Sequence, residues 1–149
     1  MITRREFVAI ACATASGAVP GSAFATQTAV DEAMRALTGG AQVRRGRVKL
    51  DAPALIENGN SVVLGVSVES PMTQADHVKA IHVFAPMNPL PNMVSVHLGP
   101  RAGRAQFSTR TRVADTQTLV ALAQMSDGSF WSDQVNVVVT IAACLEELK

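Results

Sequence analysis

The stretch Ser61-Val62-Val63-Leu64-Gly65-Val66-Ser67-Val68-Glu69 decides the fold. Val62, Leu64, Val66 and Val68 recur at every second position, the period at which a β-strand sends side chains to one face. The same alternation appears on both sides of it. We expect strands over Arg47–Leu50, Ser61–Glu69, Val78–Ala85, Met93–Leu98, Arg104–Arg112, Gln117–Met125 and Phe130–Ala142. In the fifth, Arg104, Gln106, Ser108, Arg110 and Arg112 share one face and Ala105, Phe107 and Thr109 the other. In the last, Val135, Val137, Val139 and Ile141 share a face.

Turn chemistry separates these runs. Asn58-Gly59-Asn60 and Ser126-Asp127-Gly128 are tight-turn sequences. Asn88-Pro89-Leu90-Pro91-Asn92 is a loop, because proline cannot donate to a sheet ladder. Short strands with regular turns indicate an all-β fold, an immunoglobulin-like antiparallel β-sandwich of about seven strands. Ahead of it, Ala29, Ala33 and Leu37 stand four apart with Val30 and Met34 beside them. That is a short amphipathic N-terminal helix, stopped by Gly39-Gly40 and expected to pack on the sandwich.

Composition agrees with one domain built on an aliphatic core. The chain has 149 residues, 48% of them apolar, with five Phe, one Trp and no Tyr. Val, Leu, Ile, Ala and Met must fill the interior, and this β-branched richness suits strands. The formal charge is +1. A near-neutral chain is a poor general nucleic-acid binder, since that affinity comes from clustered Lys and Arg. There is no internal repeat, no second domain and no stretch suited to spanning a bilayer.

The first residues read as an export signal. Thr3-Arg4-Arg5-Glu6-Phe7-Val8 has the twin-arginine pattern, followed by a mildly apolar run from Val8 to Val19. Ala23-Phe24-Ala25 then offers small residues at the two positions a signal peptidase reads. We expect a Tat signal over residues 1–25, cleavage after Ala25, and a periplasmic mature domain over residues 26–149. Cleavage removes Arg4, Arg5 and Glu6, which takes the charge from +1 to zero.

Cleavage also removes Cys12, one of only two cysteines, and leaves Cys144 alone. An exported chain with one cysteine cannot close an internal disulfide. It points to an intermolecular bond or a reactive thiol. Cys144 stands just past the last strand and five residues from the terminal Lys149. The bland reading is a small buried hydrophobe. Against it, Cys144 shares the parity of Ala142 and not that of Val139 and Ile141.

Several segments go together: Ile56-Glu57-Asn58-Gly59-Asn60-Ser61-Val62, Glu69-Ser70-Pro71-Met72-Thr73, Asp76-His77-Val78-Lys79, Ile81-His82-Val83-Phe84-Ala85 and Asn88-Pro89. With them stand Ser108-Thr109-Arg110, Met125-Ser126-Asp127-Gly128-Ser129, Val139-Thr140-Ile141 and Gly39-Gly40-Ala41. Together they resemble the SoxY family of periplasmic thiosulfate-oxidation carriers. The resemblance implies a carrier that catalyses nothing itself and uses no cofactor beyond a covalent sulfur adduct on Cys144. It implies a heterodimer with a SoxZ-like subunit, and periplasmic sulfur-oxidising enzymes that visit the adduct. One departure stands out. The family's cysteine sits in a glycine-rich arm, whereas this chain reads Ala142-Ala143-Cys144-Leu145-Glu146-Glu147-Leu148-Lys149. Alanine lacks the backbone freedom of glycine, and Glu146 and Glu147 put negative charge beside the thiol. The alternative is therefore a non-covalent interaction module, or a divergent paralogue that has lost carriage.

Other chemistry-bearing residues give weaker readings. His77 and His82 lie five apart on one expected strand, on opposite faces, and with His97 match no zinc spacing; we expect no metal and no catalytic residue. Arg104, Arg110 and Arg112 form one basic stripe, and Arg44, Arg45, Arg47 and Lys49 a second patch. A solvated surface competes there with docking of an acidic partner or attraction of sulfur oxyanions. Trp131 is either core or an interface anchor.

Overall fold

The computed structural model describes residues 25–140. The helix α1 spans Gln27–Thr38, and nine strands follow: β1 Val43–Arg45, β2 Val48–Asp51, β3 Leu55–Ile56, β4 Val62–Val68, β5 Val78–Phe84, β6 Asn92–His97, β7 Ala105–Thr111, β8 Gln117–Met125 and β9 Phe130–Val139. Two sheets face each other. One has the order β1-β9-β8-β5-β6, with β3 also paired to β9, and the other β2-β4-β7.

Alternation in the sequence becomes the core between the sheets. Val62, Leu64, Val66 and Val68 of β4 are buried, and they meet Ile81, Val83, Leu119, Ala121 and Val137 from the larger sheet. On β7 the outward row is Arg104, Gln106, Ser108, Arg110 and Arg112, all exposed, as its pattern required. One side of the sandwich is fastened by Asp133 of β9, whose Oδ2 accepts the backbone N–H of Leu50 on β2 at 2.9 Å.

Helix α1 starts where Thr26 caps it, its Oγ1 accepting from the N–H of Ala29. It ends at Gly39, which takes the left-handed φ of 62° and donates its N–H to the carbonyl of Arg35. Such a cap needs a residue without a Cβ penalty. The helix lays Val30, with Ala33 and Met34, on the outer face of the larger sheet, against Phe84, Leu122 and Phe130. Among the described residues no helix is long and apolar enough to cross a membrane.

The architecture is the expected all-β sandwich with a short N-terminal helix, and all seven expected strands are present. Two details differ. The short strands β1 and β3 are additional, and both run parallel to β9, so the sheet is not wholly antiparallel. Neither contains enough residues to show a period, and their pairing is supplied by β9. The expected start of β2 at Arg47 also shifts to Val48, because Arg47 adopts a left-handed φ of 54° that no strand residue takes.

Candidate functional site

The end of β9 is held from both sides. The N–H of Val138 donates to the carbonyl of Ala54 and that of Thr140 to the carbonyl of Ile56, both at 2.9 Å. Between them the N–H of Val139 donates to Thr116 Oγ1 at 3.0 Å. The Thr140 hydroxyl donates to the carbonyl of Glu57, also at 3.0 Å. Whatever follows Thr140 therefore leaves from a fixed root. Cys144 is four residues further on, and four extended residues span at most about 14 Å.

A buried polar hub supports this root. Asn88, in the loop between β5 and β6, donates Nδ2–H to the carbonyl of Arg112 at 2.9 Å. Its Oδ1 accepts the N–H of Ala114 at 2.9 Å and Gln117 Nε2–H at 3.2 Å. Gln117 Oε1 in turn accepts the N–H of Met87 at 2.9 Å. One asparagine thus ties the β5–β6 loop to the β7–β8 loop, which carries Thr116 to Val139. The carbonyl of Asn88 also accepts the N–H of Ala25 at 3.0 Å, so the start of the domain lies at the same end as the root.

Of the residues singled out in the sequence, Cys144, Arg4, Arg5 and Ala23 lie outside the described residues, as does the Tat signal up to residue 24. Ala25 is described and is buried. The cleavage expected after it would remove the contact with Asn88 and make the helix cap Thr26 the first residue.

The histidines separate and regroup. His77 precedes β5, where its N–H donates to Ser126 Oγ and its Nδ1 lies 3.0 Å from the carbonyl of Thr73. His82 is buried on the helix-covered face, its Nδ1 2.8 Å from Ser95 Oγ. The antiparallel pairing of β5 with β6 sets His97 diagonally beside it, rings edge-on at 6.0 Å. No sequence spacing announces that pair, since it depends on strand register. Among the described residues no three His, Cys, Asp or Glu side chains gather to hold a metal ion.

Burial first, and the neighbouring His97 second, push the pKa of His82 below the ordinary 6.5. Below that value the unfolded chain binds a proton that the folded chain refuses, so stability falls as pH falls until the folded pKa is passed. Thermal melts between pH 7.5 and 5 are expected to show this decline, and His82→Asn is expected to flatten it. An equal slope in the variant would assign the effect elsewhere.

The two basic groups also divide. Arg44 and Arg47 both lie over the Trp131 ring at 5.7 Å. Arg47 also pairs with Asp76 at 3.3 Å and donates Nε–H to the carbonyl of Glu69 at 3.1 Å. Trp131 Nε1–H donates to Ser129 Oγ, which donates to Asp127 Oδ1. These bonds from Ser129 hold the Asp127 carboxyl below its usual range. Trp131 is thus half-buried, packed on the core edge and clamped by two guanidinium groups. Lys49 faces another way, into an open groove of about 510 Å³ on the outside of the β2-β4-β7 sheet. Gly65 leaves room there between Asp51 and Ser108, its partners on the two flanking strands. Arg110, on that sheet, donates to Ser61 Oγ at 3.4 Å, beside the root.

The family model "Sulfur oxidation protein SoxY" matches residues 34–144, a span that ends on Cys144. Among solved structures, the sulfur carrier protein SoxY from Chlorobium limicola f thiosulfatophilum is similar, with TM-score 0.65 and 29% identity. The match covers 76% of this chain and 98% of that one. A superoxide reductase (neelaredoxin) from Ignicoccus hospitalis has TM-score 0.56 and 18% identity over 63% of this chain and 80% of its own. The superoxide reductase from Nanoarchaeum equitans has TM-score 0.53 and 7% identity over 64% of this chain and 100% of its own. The two reductases share the fold alone. No curated protein matches the chain.

Proposed function

The chain belongs to the SoxY family, and from that premise we propose that it is a periplasmic sulfur carrier that holds thiosulfate-derived groups covalently on Cys144. The observation that carries the proposal is the fixed root at Val138–Thr140. It stands four residues before the cysteine on which the family match ends. A rigid scaffold whose last fixed residue stands four residues before Cys144 presents one sulfur atom at a bounded distance. That suits handing a substrate to visiting enzymes.

In the loading step the Cys144 sulfur bonds to the terminal sulfur of thiosulfate. The thiol proton leaves to water, and two electrons pass to an oxidant that a loading enzyme supplies. The sulfonate then sits at the end of a disulfide-linked adduct. Hydrolysis by a second enzyme breaks the bond to the sulfonate sulfur, releases sulfate and leaves a persulfide on Cys144. The carrier contributes the thiol and its position, and the enzymes contribute the redox and hydrolytic groups. Export through the Tat pathway delivers the chain, by its Arg4-Arg5 signal, to the compartment where these enzymes work, and a SoxZ-like subunit completes the complex.

Intact-mass measurement of the mature protein from thiosulfate-fed cells tests this. Sulfur-containing additions, removable by a thiol reductant, are expected on the wild type and absent from Cys144→Ser. A wild type that stays bare under those conditions contradicts the carrier and leaves a non-covalent module.

A further inference from the structure

Two of the six large apolar side chains exposed among the described residues meet in one groove beside the root: Leu55 at 60% and Val63 at 47%. Leu55 stands on β3, which pairs with β9 at the root. Leu55 and Val63 line one open groove of about 320 Å³, with Pro53, Ile56 and Val62. Val63 is in turn paired with Arg110, whose guanidinium reaches Ser61 in the same groove. Contiguous exposed apolar surface of this kind marks an interaction site more often than chance.

Chain length says what must cover it. Cys144 cannot travel more than about 14 Å from Thr140. An enzyme that takes this sulfur into an active-site channel therefore has to bring the mouth of that channel down onto the root. We infer that Leu55 and Val63, flanked by Arg110, form the landing surface for the enzyme that loads Cys144. The partner chemistry that fits is an apolar rim with a carboxylate opposite Arg110. The inference rests on the carrier reading and adds to it the footprint of the visiting enzyme.

The test uses the full chain with its partner subunit in cells supplied with thiosulfate. It compares wild type, Leu55→Asp, Val63→Asp and the control Leu37→Asp. Leu37 is also exposed, but it lies on α1 shortly before β1, whose Val43 pairs with Phe130 at the opposite end of β9 from the root. The loaded fraction of Cys144 is expected to fall about tenfold or more in both patch variants and to stay unchanged in the control. That is the loss expected when a charge enters the centre of an apolar contact. Alkylation of Cys144 and retention of the partner subunit are expected to be unaffected.

Wild-type loading in either patch variant overturns the inference. So does a parallel loss of the partner subunit, which would make the patch a permanent subunit interface, or of alkylation, which would make it a contact for the C-terminal segment itself. If the charged variants melt early, Leu55→Asn and Val63→Thr are read in the same way. A wild type that is never loaded instead removes the carrier reading beneath the inference.

Discussion

Asn88→Ala is expected to lower the stability of the fold by about 3–5 kcal/mol, because leaving a buried hydrogen-bonding group unpaired costs about 1–3 kcal/mol each. The alanine strands the carbonyl of Arg112 and the N–H of Ala114, and leaves Gln117 Nε2 with only the carbonyl of Asp115. Ala114 and Gln117 are buried, so water reaches them poorly. The loss is read from the urea midpoint at constant slope. A drop below about 1 kcal/mol would mean that water replaces the side chain at little cost. Because this hub positions Thr116, the same variant should loosen the grip on Val139 and speed exchange of its N–H.

Phe84→Ala is expected to cost a similar 3–5 kcal/mol, the usual range for a phenylalanine removed from a packed interior. Phe84 is fully buried between Leu122, Phe130 and Val30. It joins α1 to the sheet rather than one sheet to the other. The variant should therefore release the helix first. Hydrogen exchange is expected to rise over Gln27–Thr38 more than over β4, whose core partners lie on the opposite face of the larger sheet. Equal loss of protection in both places would contradict this division of the core into two layers.

Much of this architecture was legible because strands of seven or more residues with one buried face must alternate. Val62 to Val68 and Ala105 to Thr111 announce themselves in that way. The helix was legible from its four-residue spacing and the glycine cap. β1 and β3 were not, since two or three residues carry no period and both exist through pairing with β9. Arg47 was read as a strand residue. Its side chain instead reaches Trp131, Asp76 and Glu69, contacts that accompany its left-handed backbone and that only the folded chain brings together.

The site was legible in part. Cys144 was found by counting cysteines across the expected cleavage point, and its neighbourhood by resemblance. Asn88-Pro89 was visible only as a loop, because its partners at Arg112, Ala114 and Gln117 are more than twenty residues away. The landing surface was hidden for a related reason. Leu55 and Val63 come from two strands that are not paired with each other, and alternation alone does not tell which outward residue stands beside which.

The proposed carrier function puts the cargo on one sulfur atom, that of Cys144. The most direct measurement is fragment-level mass spectrometry of the C-terminal peptide, taken from protein purified without reductant out of thiosulfate-metabolising cells. Reductant-labile sulfur or thiosulfonate groups localised to Cys144 are expected. A Cys144 peptide that is always a free thiol, in cells that are actively oxidising thiosulfate, would contradict the carrier function.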